Sequence, residues 1–179
     1  MKKIIALISF IAIAFGAQAQ YKKAVVQASG LTCAMCSRAT LKSLETLPFV
    51  DKIDTDLNAT SFILVFKPNA TVDLDAISKK VEDAGFFVAK VVVTADFNKV
   101  KVSNDAHVPF AGQTLHFVNV KDQVLQGEKD ITLIDKSFVS AKEYKKYSSQ
   151  VKMACYKTGT MADCCKSGAT SKRVIHVTI

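Results

Sequence analysis

The chain of 179 residues contains no tryptophan. It has no arginine-rich run, and its basic residues are nearly all lysines scattered along its length. That scatter, on a net charge of +8, favours docking to acidic partner surfaces and speaks against a nucleic-acid patch. No repeat, low-complexity tract or long linker divides the sequence. No nucleophile–base pair marks a covalent active site, so an enzyme is not expected. Finally, no Asp or Glu lies between Gly30 and Leu44. A metal held in that stretch would find no hard carboxylate ligand there.

The first residues read MKKIIALISFIAIAFGAQAQ. Lys2 and Lys3 precede an apolar run from Ile4 to Phe15, and Ala17-Gln18-Ala19 has the small-x-small pattern of a cleavage site. The run is short for a bilayer span, and no cysteine follows it to take a lipid. Residues 1–19 are expected to be a cleavable signal peptide, which sends the mature chain to the periplasm or outside the cell. Losing two lysines leaves that chain basic. Five cysteines is an odd number, so an exported form keeps at least one thiol free, shared or bound to metal.

Hydrophobic periodicity organises the mature chain. Ala24, Val26 and Ala28 alternate as in a half-buried strand, and Gly30 punctuates it. Thr40, Leu41, Leu44 and Leu47 recur at helical spacing until Pro48 stops them. Residues 49–60 read as a second strand. In SFILVF, Phe62, Leu64 and Phe66 share one face and Ile63 and Val65 the other. Leu74, Ile77, Val81 and Ala84 form the stripe of a second helix, and FFVAKVVVT a fourth strand. The order βαββαβ over residues 21–94 predicts a ferredoxin-like α+β domain with both helices on one face. From Asp96 the pattern changes. NKVKVSND, QTLHFVNV, DITLIDKSFV, QVKMACYKTG and KRVIHVTI have strand character, and Ser140 opens a capping box for a short helix through Tyr147. The expected organisation is a domain over 20–95 and a β-rich domain over 96–179, the latter as a small OB-like barrel.

The chemistry sits at the first strand–helix junction, GLTCAMCSRA. Cys33 and Cys36 are at CxxC spacing where a helix begins. A helix N-terminus favours the thiolate, and two thiolates select soft ions. Two ligands are too few for a closed structural zinc site but suit an ion that is handed on. The run Gly30-Leu31-Thr32-Cys33-Ala34-Met35-Cys36, with Leu44, Leu47 and Val50 downstream and Glu82-Asp83-Ala84-Gly85-Phe86 near the end, resembles the heavy-metal-associated domain. That family includes copper chaperones, modules of copper-transporting ATPases and a periplasmic mercury-binding protein. The resemblance implies that Cys33 and Cys36 are the metal ligands and that Gly30, Thr32 and Phe86 support the loop. It implies a membrane metal transporter or a cuproprotein as partner. The departures are Leu31 for methionine, Ser37 and Thr40 at apolar helix positions, and Pro48 for glycine; none removes a ligand.

With Thr32 before the first cysteine and no acidic neighbour, Cu(I) ranks first, Hg(II) second, and Zn(II) or Cd(II) third. The competing class is a thiol–disulfide oxidoreductase, but the slot usually given to an aromatic there is Thr32. A structural CxxC disulfide closes too short a loop to add much stability. Arg38 and Lys42 are placed either to offset a bis-thiolate charge or as solvated helix charges, and Met35 as a surface or packed side chain.

A second sulfur group, Met153, Cys155, Met161, Cys164 and Cys165, lies near the C-terminus. It reads equally as a soft-metal site exchanging ions with Cys33 and Cys36, or as a disulfide from Cys155 to Cys164 or Cys165. His107, His116 and His176 are available as further ligands, with His107 in a loop and the other two in strands. Each taken alone reads as an ordinary histidine.

Overall fold

A computed structural model describes residues 20–161 and 173–179. The expected signal peptide, Cys164 and Cys165 lie outside the described residues. The elements run β1 (Gln20–Ser29), α1 (Ala34–Leu44), β2 (Val50–Asp56), β3 (Ser61–Phe66), α2 (Leu74–Asp83), β4 (Phe87–Val102), β5 (His107–Phe110), β6 (Gln113–Phe117), β7 (Gln123–Leu133), α3 (Ala141–Gln150), α4 (Cys155–Thr158) and β8 (Val174–Thr178). No described helix is long and apolar enough to cross a membrane.

The first six elements form the expected βαββαβ unit. Its strands lie in the order β2-β3-β1-β4, each pair antiparallel. Phe62, Leu64 and Phe66 are buried, as their alternation predicts. Leu74, Ile77 and Val81 bury the stripe of α2, while Leu44 does so for α1. The two helices touch, and the Ser43 hydroxyl donates to the Lys80 carbonyl at 2.7 Å. Asp73 caps α2 by accepting from the Ala76 amide.

The C-terminal strands do not close into an OB-type barrel of their own. Instead β4 runs on through residue 95 to Val102 and pairs along its length with β7. The stretch NKVKVSND, which reads as a separate strand, begins inside this continuation and runs on into the turn after β4. Between Phe97 and Val100 the ladder slips, and Lys99 takes a positive φ of 51°, which marks a bulge. The whole array is one eight-stranded sheet, β2-β3-β1-β4-β7-β8-β6-β5. Only β6 and β8 pair in parallel among the assigned ladders.

This sheet rolls. In a flat sheet β1 and β5 would lie five strand spacings apart, about 24 Å, yet the Tyr21 and Phe110 ring centroids are 5.0 Å apart. Phe97 on β4 likewise meets Phe110 at 4.7 Å and Phe117 at 6.5 Å. The Tyr21 hydroxyl donates to Gln113 Oε1 at 3.1 Å, and Gln113 Nε2 donates to the Val72 carbonyl at 3.3 Å. An aromatic seam therefore joins the first half of the chain to the β5–β6 hairpin. Both halves contribute to a continuous apolar core.

Two local expectations fail. QVKMACYKTG is not a strand: Val151–Met153 is irregular and Cys155–Thr158 is the single turn α4. His107 is not in a loop but begins β5. The capping box does form, with Ser140 Oγ accepting from the Glu143 amide at 3.3 Å, and α3 extends beyond Tyr147 to Gln150.

Candidate metal centre

The cysteine loop is built from a turn that only glycine takes easily. Gly30 ends β1 with φ of +88°, in the left-handed region. A Cβ there would stand 3.5 Å from Phe86 Cδ1, so Phe86 lies close to Gly30. Leu31 packs partly buried on the core and anchors the loop from below. Thr32 is exposed.

Cys33 is the N-cap of α1. Its Sγ accepts from the Cys36 amide at 3.3 Å, in the position a Ser or Asp side chain would otherwise fill. Its carbonyl accepts from the amides of Cys36 and Ser37. The sulfur of Cys33 is thus aimed at the donor end of the helix. Hydrogen bonds from the Cys36 side chain and backbone hold the Cys33 pKa below the ordinary thiol value, so the nucleophilic and metal-binding form is favoured. Cys33 is exposed and Cys36 half-buried, and the two sulfurs are not bonded to each other.

The surroundings of the loop fit the sequence in part. Thr40 is fully buried beneath the loop, and its hydroxyl is satisfied by donating to the Cys36 carbonyl at 3.2 Å. Lys42 pairs with Glu45 at 3.1 Å, which makes it a solvated helix charge. Arg38 is exposed. Met35 is 72% exposed and stands out between the cysteines, and Phe87 at the base of β4 is similarly bare.

The second sulfur group changes membership. Cys155, Met161 and Val174 share a buried cluster with Met153 against it. Yet two imidazole nitrogens stand beside Cys155 Sγ: His116 Nδ1 at 3.8 Å and His107 Nε2 at 3.9 Å. His107 and His116 are register partners across β5 and β6, and their rings stack with centroids 4.3 Å apart. His176 is the partner of His116 on β8 and meets it edge-on at 4.8 Å. Three adjacent strands therefore present a row of histidines, and α4 sets Cys155 against it.

Sequence reading missed this row because the register was not visible. One signal was present. Ala111 and Gly112 both adopt positive φ, the signature of a two-residue hairpin turn. Reading Ala-Gly as that turn pairs Phe110 with Gln113 and, three steps out, His107 with His116.

The row is electrostatically uncomfortable for protons. Burial, with His176 and His107 alongside, pushes the His116 pKa from 6.5 to about 3. Burial and the same neighbourhood lower His107, against a weaker opposite pull from Asp105. The unfolded chain binds a proton at His116 near pH 6.5 that the folded chain refuses until about pH 3. Stability from this group is full above pH 6.5. It falls by about 1.4 kcal/mol per pH unit as pH drops through that window. Denaturant unfolding of wild type and His116→Gln across pH 4–7 measures this. The variant is expected to show an acid limb shallower by one proton, and identical slopes would refute the assignment.

Residues 25–87 match the heavy-metal-associated domain. No curated protein matches this chain. Among solved structures, a copper-binding domain of HMA7, a P-type ATPase, is 35% identical over 36% of this chain and 86% of its own, with a TM-score of 0.33. The yeast copper transporter domain CCC2A is 25% identical over 37% and 90%, with a TM-score of 0.33. Apo-CopP from Helicobacter pylori is 28% identical over 37% and 98%, also at 0.33. The matched segment runs from within β1 to the first residue of β4 and carries both cysteines of the loop, and by that segment the chain belongs to the heavy-metal-associated domain family.

Proposed function

We propose that the chain is an exported carrier of a soft metal ion, which it holds as cargo between Cys33 and Cys36 and passes on by thiolate exchange. The observation that carries this reading is the position of the pair. Cys33 caps the helix with its sulfur, Cys36 comes one turn later, and both stand at the exposed end of a rigid βαββαβ frame. A two-coordinate ion there is open to attack by a third thiolate from a partner, with no need to unfold the loop. The absence of any carboxylate between Gly30 and Leu44 favours Cu(I) over zinc; Hg(II) is the next ion in order of softness. The bare Met35 and Phe87 side chains give a partner an apolar edge beside the loop. A membrane metal transporter or a cuproprotein fits that surface, and residues 1–19, read as a cleavable leader, support an exchange in the periplasm or outside the cell. The thiolate pair is suited to holding an ion, and in this reading the loop acts by binding.

The experiment is a competition of the reduced protein with a chromogenic Cu(I) chelator. Wild type is expected to withdraw one equivalent of Cu(I) through this loop, and Cys33→Ser or Cys36→Ser to lose that withdrawal. Competition unchanged in both variants would remove the site. Catalysed thiol–disulfide exchange by metal-free protein would replace the reading with a redox one.

A further inference from the structure

We propose that His107, His116 and Cys155 form a second metal site, separate from the cysteine loop, and that it takes a copper ion. The site stands on its own geometry and does not depend on what Cys33 and Cys36 do.

The three donor atoms lie within 4.8 Å of one another, and among the described residues this is the one grouping of three such ligands. The sulfur–nitrogen distances are those of donors gathered around one ion. Bonds of about 2.3 Å to sulfur and 2.0–2.1 Å to nitrogen hold sulfur and nitrogen about 3.8 Å apart at a trigonal angle, and about 3.5 Å apart at a tetrahedral one. The structure has 3.8 and 3.9 Å. The sulfur is therefore already at a ligand's spacing from both imidazoles, while the two ring nitrogens, up to 4.8 Å apart, close to about 3.5 Å when one ion draws them in at a trigonal angle.

The outer contacts are those of a ligand set. His116 turns Nδ1 to the sulfur, and its Nε2 lies 3.4 Å from Asp105 Oδ1, too misaligned to count as a hydrogen bond. A small turn of the Asp105 carboxylate makes that contact a hydrogen bond, which in a ligating histidine fixes the tautomer and raises its basicity. The backbone of Asp105 also hydrogen-bonds His107, so one residue steadies both imidazoles. Behind His116 stands His176, whose Nδ1 is 2.5 Å from Asp135 Oδ1. Its Nε2 is buried with no hydrogen-bond partner among the described residues.

Copper is favoured by what surrounds the three donors. Zinc prefers four firm ligands. Here Cys155 shares a buried cluster with Met161 and Val174, with Met153 packed against it, and a thioether is a ligand that zinc leaves unused and copper accepts. Two imidazoles and one thiolate in a trigonal set beside a thioether is a copper pattern.

The test uses the full chain carrying Cys33→Ser and Cys36→Ser together, so that failure of the loop site and failure of this one are read separately. Reduced protein is loaded with Cu(I), desalted and analysed for copper, with histidine side-chain NMR signals followed during titration. About one copper per chain is expected to remain, with the His107 and His116 signals shifting. Adding Cys155→Ser or His107→Gln is expected to abolish retention while circular dichroism stays unchanged. Asp105→Asn, which tolerates the positive φ of that position, is expected to weaken binding by about 10- to 100-fold. The proposal is overturned by any of four results: no copper retained in the double serine chain; retention undiminished by both Cys155→Ser and His107→Gln; a disulfide at Cys155 in protein as isolated; or Zn(II) retained where Cu(I) is not.

Discussion

Replacing Asp135 by alanine is expected to lower the unfolding free energy by about 3 kcal/mol, the low end of what breaking a buried charge pair costs. Asp135 comes just after β7 and its side chain is only 8% exposed. It accepts from His176 at both the ring, at 2.5 Å, and the backbone amide, at 3.3 Å. Its second oxygen is 3.0 Å from Arg173 Nη2. Removing it leaves a fully buried histidine without its anchor and takes a counter-charge from a guanidinium. The cost stays at the low end for a reason. Arg173 is a third exposed and keeps two 2.8 Å bonds to Asp75 on α2. Asp135→Asn retains an acceptor and is expected to cost about half as much, near the value of a hydrogen bond to a charged group. Denaturant midpoints measure both. In thermal unfolding the alanine variant should melt about 6–12 °C lower. A loss below about 1 kcal/mol would mean that the network is ornamental to stability. The histidine row makes the result more than structural, because His176 supports His116 from the next strand.

What was legible in the sequence was local. The alternation of Phe62, Leu64 and Phe66, the helical stripe of Leu74, Ile77 and Val81, and the glycine before a CxxC each act within a few residues. Together they specify the βαββαβ unit and place Cys33 at a helix start. The capping box at Ser140 belongs to the same class. What was not legible depends on pairings between distant segments. β8 inserts between β7 and β6 and runs parallel to β6, and no periodicity announces such an insertion. β5 is four residues long and contains Pro109, which weakens any strand signal. Asp96, Asn98 and Lys99 look like a boundary, but they lie in and around a bulge in a strand that continues. Hence the three histidines, unremarkable one by one at positions 107, 116 and 176, become neighbours only once the sheet is assembled. Cys155 was singled out for its sulfur neighbours in sequence, while the two imidazoles beside it come from 39 and 48 residues away.

Phe97→Ala is expected to cost about 3–5 kcal/mol, the usual range for emptying a buried aromatic site. Phe97 is 1% exposed and occupies the point where the two halves of the chain meet. It packs between Phe110 and Phe117 of the hairpin, and Phe110 in turn packs on Tyr21 of β1. The cavity cannot collapse easily, because its walls are strands fixed by ladders on both sides. The physical consequence reaches further than stability. β5 and β6 carry His107 and His116, and their approach to β4 runs through this ring. Loosening it should therefore disturb the stacked imidazoles, seen as averaged histidine NMR signals, while the Cys33 loop at the first strand–helix junction keeps its Cu(I) competition unchanged. The unfolding itself decides how the chain is divided. With β4 shared by both halves, a single cooperative transition is expected for wild type, and it should move as a whole in the variant. Two transitions, of which Phe97→Ala shifts only the one reported by the histidines, would instead mean that residues 20–95 and 96–179 fold as separate units that merely touch at this seam.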